Sequence, residues 1–512
     1  MNNDKQLLIQ IDSREDVSTG YDSHVIGSGS QDGTEVPSTI QLPPNCEIVP
    51  QNYITVPLQK PRSLPQYVAT IAATLSAFAA GTVLAWTSPI ITTLEKGQYN
   101  NISINEDEMG WIGSFVTLGA MVTCFPFGII CDVVGRKIAL LILIVPFSVG
   151  WCLIVWANSL VMLYFGRFIT GMAAGACCVA APLYTNEIAD KNIRGTLGSY
   201  FQLMVTMGIL FAYILGKFVP VNVYTIVCAI VPFCFFIFFV FQPESPYYSL
   251  KKGQPDVAFK NLQRLRGPNY NTVSELDSIK SHLEESMQSS VSLSYAMRKK
   301  SGYKAFIIAL ALMFFQQLSG INAIIFYTSD IFKASGAKID PQIATICVGT
   351  FQVVATFISS LIVDKLGRRM LLISSDFIMA FATIFLGLFF TFKDRHIVSD
   401  GIVNMLGFLP IVALCIFIIM FSMGLGPIPW TITGEIFSPD LKSFAVSCAA
   451  TLNWFLAFLV TKFFLKLEVL IGSDVMFYIF SVICLIGTVF CYMVVPETKG
   501  KTIEQVQDEL ER

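Results

Sequence analysis

Asp132-Val-Val-Gly-Arg-Lys137 and Asp364-Lys-Leu-Gly-Arg-Arg369 are two copies of one short pattern, 232 residues apart. Each sits between two apolar runs, 109–131 and 138–157 around the first, 342–363 and 370–392 around the second. A Gly-basic-basic turn between runs of about 20 apolar residues reads as a tight connection at a membrane surface. Two further pairs recur in the same order. Glu187 lies seven residues before Arg194 and Glu435 seven before Lys442, and Pro243-Glu244-Ser-Pro246 is echoed by Pro496-Glu497-Thr498. Three patterns in register predict two parallel six-helix repeats, with a binding site between them near the middle of the bilayer.

Working outward from these turns, the remaining apolar stretches fall into place. One lies at 63–94, which carries no charge, and others at 160–182, 196–217 and 221–241; the second half adds 304–327, 403–428, 443–464 and 473–495. The chain therefore divides into a polar tail (1–62), a six-helix half (63–241), a charged helical loop (242–303), a second six-helix half (304–496) and a short tail (497–512). The expected fold is an all-α membrane protein of 12 transmembrane helices. Composition agrees. Of 512 residues 54% are hydrophobic and 14% charged, with mean hydropathy +0.62, whereas a soluble protein carries about 25% charged residues. Net charge −2 gives no basic excess for nucleic acid. Twelve of the 13 cysteines, all but Cys46, lie in apolar stretches without metal-ligand spacing. No Gly-x-Ser-x-Gly, His-Glu-x-x-His or P-loop occurs, and His24, His282 and His396 fall outside the spans. The chain is expected to be neither an enzyme nor a cofactor binder.

Orientation follows from charge. Arg136 and Lys137, Lys191 and Arg194, and Lys365, Arg368 and Arg369 occupy loops on the side of the termini, which the positive-inside rule places in the cytosol. The opposite side carries Glu95, Glu106, Asp107 and Glu108 and the sequon Asn101-Ile-Ser103, a glycosylation acceptor if it faces outward. The 62-residue tail lacks an apolar run for a signal peptide and is expected to be disordered. Asp4-x-x-x-Leu8-Ile9 fits an acidic dileucine signal, so an endosomal or lysosomal membrane is the alternative to the plasma membrane.

From about residue 64 to 506 the chain resembles the sugar porter family of the major facilitator superfamily. The residues that carry the likeness are Gly135-Arg-Lys137, Gly166-Arg-Phe168, Pro182-x-Tyr184-x-x-Glu187, Arg194-Gly195, Pro243-Glu-Ser-Pro246, Gln316-Gln-Leu-Ser-Gly-Ile-Asn322, Gly367-Arg-Arg369, Gly426-Pro-Ile-Pro-Trp430 and Pro496-Glu-Thr-Lys-Gly500. Within that family the pattern is most similar to insect facilitated trehalose transporters and their hexose-carrying relatives. The resemblance implies a facilitative sugar carrier working by alternating access, with a small-molecule sugar and the lipid bilayer as partners, no nucleic acid, and a monomeric state.

A sugar offers hydroxyls at fixed spacing and a flat C–H face, which amides and an aromatic plate complement. Gln316, Gln317 and Asn322 suit this, but on an unbroken helix Gln317 and Asn322 point about 140° apart. A break at Ser319-Gly320 would turn them to one side; otherwise the amides serve as hydrogen bonds between helices. The resemblance assigns Gln316, Gln317, Asn322 and Gln202 to the sugar. It adds Trp430 beside a proline-kinked segment, then Asn453 and Trp454. Phe326 and Tyr327 correspond to an aromatic gate, although an interfacial aromatic belt would also place a Tyr there. Gln352 stands where many relatives carry Asn. The resemblance further implies that Arg136, Glu187, Arg194, Asp364, Arg368, Glu435 and Lys442 form a latch between the halves. Lys442 departs from the family's Arg and loses its two-pronged fork, and Tyr247 stands where Arg is usual.

Coupling to protons needs a titrating group inside the membrane. The first span has no Asp, Glu or His, which favours uniport. A proton symporter, working through the buried-looking Asp376, and a non-transporting sugar sensor are the alternatives.

Overall fold

The computed structural model describes residues 60–100, 102, 104–190, 193–288, 297–335, 340–437, 439–501 and 503–511. The Asp4/Leu8/Ile9 signal, nearly all of the 1–62 tail and Asn101 lie outside the described residues. Eleven helices among the described residues are long and apolar enough to cross a membrane. They are spans 1–10 and 12: Leu64–Ile91, Asp107–Val134, Arg136–Val155, Leu160–Ile188, Arg194–Phe218, Val221–Phe239, Lys300–Ser329, Pro341–Val363, Arg368–Asp394, Leu409–Glu435 and Ser473–Met493. The 33-residue helix Pro439–Ile471 takes the place of span 11; at 1.5 Å per residue it is about 50 Å long, more than a bilayer core.

Proline decides where spans 1 and 3 are interrupted. A proline at position i cannot donate to the carbonyl at i−4. Pro89 orphans Ala85, where the first helix ends, and Pro146 orphans Ile142, where the helix Arg136–Ile142 ends. Span 4 instead runs straight through Pro182 to Ile188, past the expected end at 182. Span 10 departs most from the sequence reading. The apolar run from 403 is not continuous helix: Asp400–Met405 is a separate turn, Pro410 opens the helix Leu409–Met423, and the span resumes as Ile428–Glu435.

One buried cation fastens the first half. Arg167 of span 4 is fully buried and donates to the carbonyls of Val83 (2.7 Å) and Ile112 (3.2 Å) and to the Thr87 hydroxyl (2.9 Å), with its guanidinium over the Trp86 ring. It thereby ties spans 1, 2 and 4. These donors go to two backbone carbonyls and a hydroxyl, a structural use of an intramembrane charge.

The repeated turns are built alike. Gly135 and Gly367 both adopt φ near +100° with extended ψ (φ +101, ψ 156 and φ +91, ψ 153), a region that only glycine occupies readily. Each precedes a helix whose first N–H groups are taken by a carboxylate from the end of the same half. Glu244 accepts from the Lys137 N–H (3.0 Å), and Glu497 accepts from the N–H groups of Arg368 (3.0 Å) and Arg369 (3.1 Å). A Cβ on Gly135 would lie 2.5 Å from the Glu244 carboxylate, and one on Gly367 2.7 Å from that of Glu497. The motif is thus a glycine that clears the way for an anion at a helix N-terminus. Between the halves, the helix Pro255–Arg266 buries Ala258, Leu262 and Leu265, as their spacing predicts. Arg266 forks onto Glu275 (2.8 and 3.1 Å) and donates to the Ile188 carbonyl.

Gly367→Ala should lower the thermal unfolding midpoint in detergent by the equivalent of about 1–3 kcal/mol. Gly434→Ala, where a Cβ meets nothing within 4 Å, should not. The two caps should also respond oppositely to pH. Burial pushes the Glu244 carboxyl above the usual range, with backbone N–H donors only partly offsetting it. Burial also pushes up Glu497, but the N–H groups of Lys499, Arg368 and Arg369 outweigh it and leave it below that range. A depressed carboxyl contributes stability at neutral pH that is lost as pH falls through its folded pKa; a raised one contributes below its unfolded pKa and loses this as pH rises. The deficit of Glu497→Gln should therefore shrink on acidification to about pH 4, while that of Glu244→Gln grows.

Candidate functional site

Span 7 breaks where the sequence suggested. Its first helix ends at Leu318, Gly320 takes φ +91, and the next helix starts at Ile321. The Phe480 ring lies 2.6 Å from where a Cβ of Gly320 would be. Span 10 breaks beside it, at Gly424 to Gly426, leaving carbonyls without helical partners. The Gln316 amide answers that need, donating to the carbonyls of Leu425 and Gly426, both at 2.8 Å.

From there the amides form a chain. Asn453 of span 11 donates to the Gln316 oxygen (2.6 Å), Gln317 donates to the Asn453 oxygen (2.8 Å), and Asn322 donates to the Gln317 oxygen. The break therefore brings Gln316, Gln317, Asn322 and Asn453 together, and all four are at least nine-tenths buried. Gln202, on span 5 of the other half, stays apart: it is half-buried and donates to no described residue. Gln352 is buried, and its amide makes no hydrogen bond to a described residue.

Two indoles complete the group. Trp454 packs with Ala450 and Ala457 of span 11 against Ala120 and Cys124 of span 2, and half-buried Trp430 joins the same cluster together with Leu84 and Cys178. The Trp454 Nε1–H is buried without a partner, a donor available to a ligand. Apolar planes and adaptable amides thus meet where the halves face each other, as polyhydroxyl recognition needs.

The end of the bundle opposite the termini is closed. Tyr327 is fully buried, donates to the Thr461 carbonyl (2.9 Å), stacks on Phe464, and with Phe326 abuts Gly113 of the other half. A belt residue would face lipid; Tyr327 does not. Among the described residues, the hydrogen bonds and ion pairs that cross between the halves gather at this end. Tyr213 donates to the Ile325 carbonyl (2.8 Å), Ser88 meets Ser329 (3.3 Å), and Lys217 pairs with Asp340. Glu95 pairs with Lys333 (3.4 Å), and Lys462 donates to the Asp107 carbonyl (3.1 Å) with its ammonium over Trp111. The sequence reading missed Lys462, although a lone lysine within an apolar span was a visible signal.

At the end bearing the termini, the charged residues pair within their own halves. Glu187 binds Arg136 (2.9 Å), which also reaches Asp132, and it accepts from Ser245. Glu435 binds Arg368 (3.2 Å) and accepts from Thr498 (2.5 Å). Arg194, seven residues after Glu187, stands apart from it here. Ala189 leaves the helix in extended conformation, the chain turns away, and exposed Arg194 donates to the Ala189 carbonyl. The side chains of Asp364 and Lys442 lie outside the described residues. Asp376 is fully buried between spans 9 and 12; one carboxylate oxygen has no partner and the other faces the Cys491 thiol at 3.8 Å.

Comparison with known proteins bears on what this arrangement serves. Residues 66–510 match the family model described as sugar (and other) transporter. The chain is 37% identical over 443 residues to the facilitated trehalose transporter Tret1 of Polypedilum vanderplanki, covering 86% of this chain and 87% of that protein. It is 35% identical over 457 residues to the protein of the same name from Culex quinquefasciatus, covering 88% of each. Among solved structures, the proton:xylose symporter XylE bound to 6-bromo-6-deoxy-D-glucose superposes with TM-score 0.73 at 23% identity, over 88% of this chain and 99% of that one. Partially occluded, inward-open XylE from E. coli gives TM-score 0.72 at 22% identity, over 86% and 100%. Those likenesses establish the major facilitator fold.

The hydrogen-bond chain predicts a contrast in stability. Gln316→Ala strands the Leu425 and Gly426 carbonyls and the Asn453 amide, and should cost about 1–3 kcal/mol in thermal unfolding. Gln202→Ala should leave the midpoint unchanged.

Proposed function

This chain belongs to the sugar transporter family, a class of membrane carriers rather than enzymes, and on that premise we propose that it moves trehalose or a hexose by facilitated diffusion. The observation that carries the reading is the amide–indole group at the broken spans 7 and 10, between halves fastened together at one end. The trehalose-transporter names of the relatives support the substrate class.

In the proposed cycle the sugar takes over hydrogen bonds that the amides now make to one another. Gln316, Gln317, Asn322 and Asn453 can each give and accept, so a hydroxyl can enter the chain without leaving an amide unpaired. Gln202 contributes from the opposite half, and Trp430 and Trp454 take the C–H face. The positive-inside rule assigns the end with the termini to the cytosol and the plasma membrane is the expected site, so the closed end is the outer gate with Phe326 and Tyr327 at its centre. Glu187 and Glu435, now bound within their own halves with Arg136 and Arg368, belong to the latch that forms when the cytosolic end closes, together with Arg194, Asp364 and Lys442.

Uniport is supported by span 1, Leu64–Ile91, which has no Asp, Glu or His. Arg167 is committed to backbone carbonyls. The second reading, proton coupling, would have to work through Asp376, whose unpartnered oxygen is the observation in its favour.

Uptake of labelled trehalose and of hexoses into transport-null cells should saturate, run equally in both directions and ignore a protonophore. Accumulation against a gradient that collapses with protonophore, and is lost in Asp376→Asn, would establish symport instead. Gln202→Ala, stable by the criterion above, should weaken sugar binding about five- to 150-fold, the equivalent of 1–3 kcal/mol. Glu435→Gln should shift the balance between the two open forms by about 1–2 kcal/mol, read as faster cytosolic labelling of a cysteine placed at Trp430.

A further inference from the structure

A cleft of about 310 Å³ opens where span 1 begins and span 6 has just ended, at the end of the bundle that carries the termini. Leu64, Val68 and Leu265 supply its apolar wall; Gln242 and Arg264 supply its polar rim. The surroundings continue the same division. Leu64 is 72% exposed, Val68 49% and the neighbouring Phe241 68%, an apolar surface that water would penalise and acyl chains would not. Arg264 comes from the amphipathic helix Pro255–Arg266, which lies against the bundle at this level.

The two arginines here have no carboxylate partner among the described residues. Arg264 donates through Nη2 to the Phe241 carbonyl (2.6 Å) and makes no ion pair with a described residue. Arg62 opens the first span, with its N–H on the Arg266 carbonyl (2.8 Å) and its stem against Gly267, and it too has no described ion-pair partner. Lys137 stands within electrostatic reach of both Glu244 and Arg264. The carboxylate of Glu244 is occupied by the N–H groups of Lys137 and Ser245. A site that is apolar along the membrane wall and cationic at its water-facing rim is complementary to one kind of molecule.

We propose that this cleft binds an anionic phospholipid, its acyl chain along Leu64 and Val68 and its headgroup phosphate on Arg264. A cytosolic leaflet, where anionic lipids concentrate, is the matching environment. The site is separate from the amides and indoles, so it stands whichever sugar is carried.

The test uses the full-length chain, reconstituted in vesicles of equal parts phosphatidylcholine and phosphatidylserine, extracted, and weighed by native mass spectrometry with its retained lipids. Phosphatidylserine should be retained over phosphatidylcholine. Arg264→Gln should reduce that retention roughly fivefold, Arg264→Lys should preserve it, and Val68→Glu should abolish it by removing the chain's wall. Equal retention of the two lipids, or unchanged retention in Arg264→Gln, would overturn the proposal. So would displacement of phosphatidylserine by inorganic phosphate or glycerophosphoserine as readily as by added phosphatidylserine, which would make this a site for a free phosphate. If Arg264→Gln does not fold, the Arg264→Lys and Val68→Glu pair decides: loss in the second with retention in the first supports the lipid, and equal behaviour of the two overturns it.

Discussion

Two hydrogen bonds, from one Gln316 amide to the carbonyls of Leu425 and Gly426, hold together the polar cluster of spans 7, 10 and 11. In lipid a broken helix is admissible only if the backbone groups it frees find partners. Spans 7 and 10 break side by side, and each break answers the other. Span 7 presents the Gln316 amide just before its break, and span 10 exposes the carbonyls that the amide needs. Everything polar in the centre hangs from this exchange: Asn453 on Gln316, Gln317 on Asn453, Asn322 on Gln317. Without it the second half would be six straight apolar helices with no reason to carry amides inside.

How much of this the sequence discloses depends on the range of the interaction. The repeat, the two halves and the break at Ser319-Gly320 are local patterns and could be read directly. Span 10 was misplaced because apolar residues continue through Ile402 and Val403, and hydropathy does not register that a helix has stopped and restarted. Arg136 and Glu187 stand in one expected set, but their direct contact is not legible, because they lie 51 residues apart on different spans. At the closed end the resemblance points to Phe326 and Tyr327, but not to the polar contacts around them, since Tyr213 and Ile325, or Lys462 and Asp107, have no sequence relation beyond their place in the assembled bundle.

The two repeats keep one architecture and differ in its electrostatics. Gly135 with Glu244 and Gly367 with Glu497 are the same device: a glycine without a side chain, a helix start and a carboxylate filling the gap. Yet Glu497 receives N–H groups from three residues and Glu244 lies deeper, so one carboxyl is held as an anion more firmly than the other.

The fastening at the closed end has a thermodynamic consequence. It consists of a few hydrogen bonds such as that of Tyr213, an aromatic contact and ion pairs whose carboxylates stay partly in water. Glu95–Lys333, for instance, has side chains 43% and 58% exposed, and such pairs contribute about 0–1 kcal/mol each. A closure of this composition holds little free energy of its own, so a modest preference of any bound molecule for one form is enough to move the population from closed to open at that end.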